Sequence, residues 1–160
     1  MCDPMIRQFA MDDCDSVVAL WGEAGAGVPL RPSDSRDQLA VKLTRDADLF
    51  LVAAYGEELV GCVMGGWDGR RAYIYHLAVR ADRRRRGIGT ALLAELEERM
   101  RRKGALKAKC QIFTSNEASL AFFRRSGYEV EVGLCPVGKE LVPGGAPPVS
   151  SMGGLADLQG

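Results

Sequence analysis

The chain has 160 residues, 47% of them hydrophobic, with 21 basic and 21 acidic side chains. That length suits one domain whose core needs no disulfide or metal staple, and the composition excludes disordered, collagenous and disulfide-scaffold proteins. No apolar run approaches the roughly 18 residues of a membrane helix.

Residues 6–9 read as a short first strand. A helix is expected from about Asp12, with Asp15 three residues on and Val17, Leu20 and Trp21 as its apolar stripe. Residues 22–34, GEAGAGVPLRPSD, read as a mobile Gly/Pro-rich loop. A second short helix is expected over 36–44, with Leu39 and Leu43 inward. Strands follow over 49–55 and 59–67, joined by Gly56-Glu57-Glu58, and Gly61, Gly65 and Gly66 mark bulges or a close backbone approach. Asp68-Gly69 turns the chain into AYIYHLAV (72–79), so an antiparallel meander is expected.

The period changes at Ile88. Leu92, Leu93, Leu96 and Met100 continue a helical stripe, and Glu95–Arg99, Glu97–Arg101 and Glu98–Arg102 are favourably oriented i,i+4 pairs. Gly104 ends that helix. A strand over 106–113, a helix over 116–126 stopped by Gly127, a strand over 128–135 and an edge strand over 138–142 complete the expectation. From Pro143 the Gly/Pro-rich segment reads as a disordered tail, leaving 1–142 as a single domain.

Cys2, Cys14, Cys62, Cys110 and Cys135 are odd in number and share no CxxC spacing. Nor does MCDPMIRQF resemble a secretion signal, so a cytoplasmic protein with reduced thiols is expected. The only histidine, His76, rules out any multi-histidine metal site, and no metal is expected. Zero net charge hides a segregation: residues 1–68 carry 12 acids and 5 bases, residues 80–125 carry 13 bases and 5 acids. A basic middle in an acidic chain points to an anionic ligand.

The informative segment is HLAVRADRRRRGIGTALL, from His76 to Leu93. A strand ends, four arginines follow, and Gly87-Ile88-Gly89 opens an amphipathic helix. The first turn of a helix offers unpaired N–H groups and the positive end of its dipole. Glycines there let an anion approach the backbone, and guanidinium groups suit phosphate. The segment is neither a Walker loop nor a full dinucleotide fingerprint. On those residues alone, a glycine-eased turn beside a solvated arginine run remains open.

Arg84-Arg85-Arg86-Gly87-Ile88-Gly89 resembles the [Q/R]-x-x-G-x-[G/A] signature of the GNAT superfamily of N-acetyltransferases. LAVRAD is similar to the strand end that precedes it in the family, with Ala81 where proline is usual. NEASLAFFRRSGYE (116–129) resembles the family's later N-x-x-A-x-x-[FL]-Y-x-x-x-G-[FY] segment. The resemblance covers residues 5–142 and is closest to small, stand-alone bacterial members. It implies an α/β GNAT fold: a mixed, mostly antiparallel sheet of six or seven strands flanked by about four helices.

The resemblance also implies acetyl-CoA as co-substrate. Its pyrophosphate would rest on Arg84, Arg85, Arg86, Gly87, Ile88, Gly89 and Thr90. Its pantetheine arm would lie along Leu77, Ala78 and Val79 and touch Asn116. Phe123 falls where the family usually has the tyrosine that protonates the departing thiolate, and phenylalanine has no proton to give. Tyr128, at the next landmark, reads as packed. The glutamate base of some members falls near Tyr73, a poor base at neutral pH.

Strand alternation places Tyr73, Tyr75 and Leu77 on one face, where the two hydroxyls are candidates to position water or substrate. His76 then points the other way and reads as packed or surface. Glu57 and Glu58 read as solvated turn residues. Arg31 stands where the family often builds its acceptor site and could read an acidic acceptor group. The expected function is acetyl transfer to a primary amine, small molecule or peptide, in a ternary complex. The second reading is an acyl-CoA-binding module with little turnover. A nucleic-acid binder disagrees with the zero net charge. No membrane partner is expected, and homodimers are frequent in the family.

Overall fold

Five strands and four helices make up the computed structural model, which describes residues 2–142. The proposed tail, 143–160, lies outside the described residues. Strands β1 (Met5–Gln8), β2 (Phe50–Tyr55), β3 (Glu58–Trp67) and β4 (Ala72–Val79) pair antiparallel in that order. Strand β5 (Ala108–Cys110) joins β4 in parallel. A parallel neighbour requires a crossover, and α3 (Ile88–Arg102) supplies it. The other helices are α1 (Cys14–Ala24), α2 (Arg36–Asp46) and α4 (Glu117–Arg125).

The sheet is mixed and mostly antiparallel, but it has five strands where six or seven were expected. The strand foreseen over 106–113 shortens to three residues, and those over 128–135 and 138–142 do not form. Gly133 at φ +86° and Pro136 interrupt the alternation after Tyr128. Val132, Leu134, Val137 and Leu141 stay exposed. Lys107 and Lys109, both paired with Glu131, tie this segment to β5. Apolar alternation alone cannot make a strand where so short an edge offers it a ladder.

Two apolar layers sandwich the sheet. On one face α3 buries Ile88, Leu92, Leu93, Leu96 and Met100 against Leu51, Ala53, Val63 and Ile74, with Phe123 of α4 beside them. On the other, Val17, Leu20 and Trp21 of α1 and Leu39 of α2 cover Phe50, Val52, Cys62 and Met64. Each such large side chain contributes roughly 1.5–3 kcal/mol on burial. The glycines of β3 let α3 come close. A Cβ at Gly65 would stand 2.7 Å from Met100 Cε, and one at Gly61 would stand 3.0 Å from Leu92 Cδ1.

The first helix begins later than expected. A single 3-10 turn, Met11–Asp13, precedes it, and the capping acid is Asp13, which accepts the Ala10 N–H at 2.8 Å and the Arg7 guanidinium at 2.7 and 2.8 Å. In α2, the Ser35 hydroxyl accepts the Gln38 N–H as N-cap. The stretch 22–34 completes α1 and then makes two more 3-10 turns, Gly25–Gly27 and Pro32–Asp34. No helix among the described residues is long and apolar enough to cross a membrane.

One irregularity sets up the site. Cys62 pairs with Ala78 but Met64 pairs with Tyr75, so β4 carries an extra residue there, and His76 takes φ +47°. The alternation reverses across this bulge. Ala72 and Ile74 pack toward α3 before it, Leu77 and Val79 after it. Tyr73, Tyr75 and Leu77 therefore do not share a face, contrary to the simple period-2 reading.

Candidate active site

A groove of about 850 Å³ opens where β4 and β5 part. Their parallel pairing stops at Ile74 and Cys110, so the later residues of β4 have no strand partner on that side among the described residues. Leu77, Ala78 and Val79 form one wall, the start of α3 the floor, Ser115, Asn116 and Phe122 the far wall, and Ala26 to Val28 the rim. Main-chain groups left open along a splayed strand suit a ligand with amide groups of its own.

The floor is an uncapped helix N-terminus. Gly87 is the N-cap of α3 at φ +79°, a left-handed conformation glycine adopts without strain, and no side chain caps the helix. The first intrahelical bond from this end is Ala91 N–H to the Gly87 carbonyl, at 2.9 Å. The N–H groups of Ile88, Gly89 and Thr90 therefore point out at the positive end of a 15-residue helix. The nearest neighbours of a Cβ at Gly89 would be Phe122 and Val79, at 3.4 to 3.6 Å, on the groove floor.

The arginines divide into two groups. Arg80 and Arg83 hold Glu58 and Asp82, and the Arg80 hydrogen bond keeps the Asp82 carboxyl down at about 2. Arg84 gives its Nε to the Val79 carbonyl at 3.0 Å. Among the described residues no carboxylate pairs with Arg84, Arg85 or Arg86, which keep their charge available beside the helix start. Arg85 itself sits at φ +59°, an uncommon conformation for a long side chain.

The expected cofactor residues mostly converge. Leu77, Ala78, Val79, Arg84, Arg85, Gly87, Ile88, Gly89, Thr90 and Asn116 line one groove. Arg86 is exposed outside that lining. Asn116 spends its Oδ1 on capping α4, accepting the Ser119 N–H at 3.1 Å, and its Nδ2 stands 3.2 Å from where a Gly27 Cβ would lie. It thereby faces the loop after α1 across the groove. Phe123, expected at the reacting sulfur, is buried in the α3-side core, and its neighbour Phe122 lines the groove instead.

The residues read as catalytic lie elsewhere. Tyr73 is half-buried at the β4–β5 joint and stacks on Tyr75 with ring centroids 6.3 Å apart. Neither lines this groove. Tyr75 is 47% exposed, and partial burial raises its hydroxyl pKa, so the phenol keeps its proton. Arg31 is exposed, and what it gives the site is its backbone N–H, donated to Asp34 at 2.9 Å. Period-2 reasoning missed the pair that the bulge creates: His76 Nε2 lies 2.8 Å from Asp34 Oδ1, with the imidazole tilted against Trp21. No spacing in the sequence signals a contact across 42 residues, although a lone histidine at the strand end was visible.

Comparison with known proteins agrees with this architecture. Residues 15–128 match the Acetyltransferase (GNAT) family. The chain is 37% identical over 138 residues to an acetyltransferase of Sodalis glossinidius, and 38% identical over 138 to one of Pectobacterium atrosepticum; each match covers 86% of this chain and 95% of the relative. Ard1 from Thermoplasma volcanium superposes with a TM-score of 0.72 at 20% identity, over 82% of this chain and 86% of that one. The PaiA N-acetyltransferase of Thermoplasma acidophilum, solved in complex with coenzyme A, gives 0.72 at 22% identity over 81% and 92%. The structural likeness speaks for the fold, and the sequence matches carry the assignment: the chain belongs to the GNAT family of acetyltransferases.

Proposed function

We propose that the protein transfers the acetyl group of acetyl-CoA to a primary amine of a small molecule or peptide, by direct attack in a ternary complex. The observation that carries this reading is the uncapped start of α3, where three free N–H groups floor the groove beside Arg84 and Arg85, neither of them paired with any described carboxylate. A pyrophosphate suits that set of donors, and the splayed end of β4 suits the amide groups of a pantetheine arm. Acetyl-CoA supplies an activated thioester. The chain holds it at Leu77 to Val79 and at the helix start, and orients its acyl end toward the bulge of β4.

Phe123 is buried in the core and Phe122, which lines the groove, has no proton to give, so neither protonates the leaving thiolate. Solvent serves instead. Holding amine and thioester together supplies several kcal/mol of the rate, and a strand N–H near Leu77 can stabilise the carbonyl oxygen. The test is release of free thiol from acetyl-CoA against amino acids, polyamines, aminoglycosides and peptide N-termini. Turnover with one of these supports transfer. Tight binding of acetyl-CoA without turnover on any would favour the acyl-CoA-binding module that Phe123 permits.

A further inference from the structure

We propose that His76 is the group that takes the proton from the attacking amine, and that Asp34 is the residue that positions its ring. This role rests on the acetyl-transfer reading and adds to it the base that the tyrosines do not supply.

His76 directly precedes Leu77, where the groove begins, and it occupies the bulge of β4. A histidine held at φ +47° inside a strand is strained, and such strain persists only where the surroundings enforce it. Here they do. The imidazole packs on Trp21 with centroids 4.7 Å apart, and Nε2 bonds to an Asp34 carboxylate whose side chain is only 4% exposed. That carboxylate is fixed in turn by the Arg31 N–H on its second oxygen. Asp34 belongs to the chain segment whose earlier residues, Ala26 to Val28, form the groove rim, so the pair joins the rim loop to the strand.

A carboxylate on Nε2 selects the tautomer with its hydrogen there and leaves the lone pair on Nδ1. Nδ1 has no hydrogen-bond partner among the described residues, and the side chain keeps 19% exposure. The polar outlet of the ring therefore opens to solvent; His76 itself lies outside the groove lining, one residue before its first wall residue, Leu77. Other charged or titratable groups nearby do not compete for it. Cys62 of β3 meets the His76 carbonyl at 3.8 Å, with its thiol pushed by burial up to about 12. Arg31 is exposed, and Tyr75, the neighbour on β4, keeps its proton.

The step balances without a further reactant. The amine lone pair forms the C–N bond at the thioester carbonyl carbon, and the C–S bond breaks with its electron pair leaving on sulfur. The proton shed by nitrogen goes to Nδ1. The thiolate takes a proton from solvent, and His76 returns its own to solvent.

Because the chain has a single histidine, its ring resonances need no assignment. Long-range proton–nitrogen NMR of the free protein should show the neutral ring protonated at Nε2, and Asp34→Asn should shift its tautomer balance. For the reaction, His76→Asn is the suitable variant, since asparagine tolerates positive φ. With an amine that the native protein acetylates, it should lower kcat by roughly 10²–10⁴-fold and abolish the acid limb of the pH–rate profile. Asp34→Asn should lower kcat less and move that limb, and acetyl-CoA should still raise the melting temperature of both variants. A ring protonated at Nδ1, or a His76→Asn variant with unchanged kcat and pH profile, overturns the role. Binding of acetyl-CoA without thiol release by the native protein overturns acetyl transfer itself, a result distinct from either of these.

Discussion

Tyr128, just beyond α4, donates its hydroxyl to Glu97 of α3 at 2.8 Å, while its ring meets the edge of Phe123 with centroids 5.1 Å apart. The bond and the aromatic contact lock the last helix onto the one that floors the groove. Burial, reinforced by Glu97, raises the tyrosine pKa far above its usual value, so the phenol stays a donor throughout the neutral range. Tyr128→Phe should therefore cost about 1 kcal/mol in urea unfolding, with no pH dependence across the neutral range traceable to this phenol, and acetyl-CoA binding should persist.

The close approach of α3 to β3 makes two glycines behave oppositely. A Cβ at Gly65 meets Met100 and Leu96 at 2.7 and 2.8 Å, so Gly65→Ala should destabilise by about 1–3 kcal/mol through overpacking. Gly22 sits within α1 with nothing in reach of a Cβ, and Gly22→Ala should stabilise by about 0.5–1 kcal/mol. Equal effects of the two substitutions in thermal unfolding would contradict the packing described.

Asp13 links β1 to the start of α1 through Arg7 and the Ala10 N–H. The Arg7 hydrogen bond is the main reason its carboxyl lies below the usual range in the folded state. Its stabilisation is therefore complete above the unfolded-state pKa of roughly 3.9 and is lost as pH falls through the lower folded value. Asp13→Asn should cost roughly 1 kcal/mol at neutral pH, and the gap from the native protein should close on acidification. A gap that stays constant into strong acid would show that the charge contributes nothing.

The helices were legible because their signals are local. The stripe from Ile88 to Met100 and the glycines ahead of it placed α3 and its uncapped start, and Gly61 and Gly65 announced a close approach that the structure realises with α3. Two features were not legible. The bulge at His76 inserts one residue into β4 and exchanges the faces of Leu77, Ala78 and Val79, an event that no alternation can report from within the strand. That one residue separated Leu77 from the tyrosines and turned His76 toward Asp34. The alternation of Tyr128, Val130, Val132 and Leu134 pointed to a sixth strand, yet a ladder also needs a partner, and β5 is three residues long. Phe123 illustrates a third limit. A motif fixes the helix and its phase only to within a residue, and here it is Phe122 that reaches the groove.

The central claim, that the start of α3 holds the pyrophosphate of acetyl-CoA, is tested most directly by thermal shift on three proteins. At about 100 times Kd a ligand stabilises the native state by about 2.7 kcal/mol, or roughly 5–10 °C for a chain of this size. The native protein should show that rise, and Gly89→Ala, whose Cβ makes only ordinary contacts with Phe122 and Val79, should keep most of it. Gly89→Glu places bulk and negative charge on the groove floor and should lose it while still unfolding cooperatively. A rise in Gly89→Glu as large as in the native protein would show that the anion binds elsewhere.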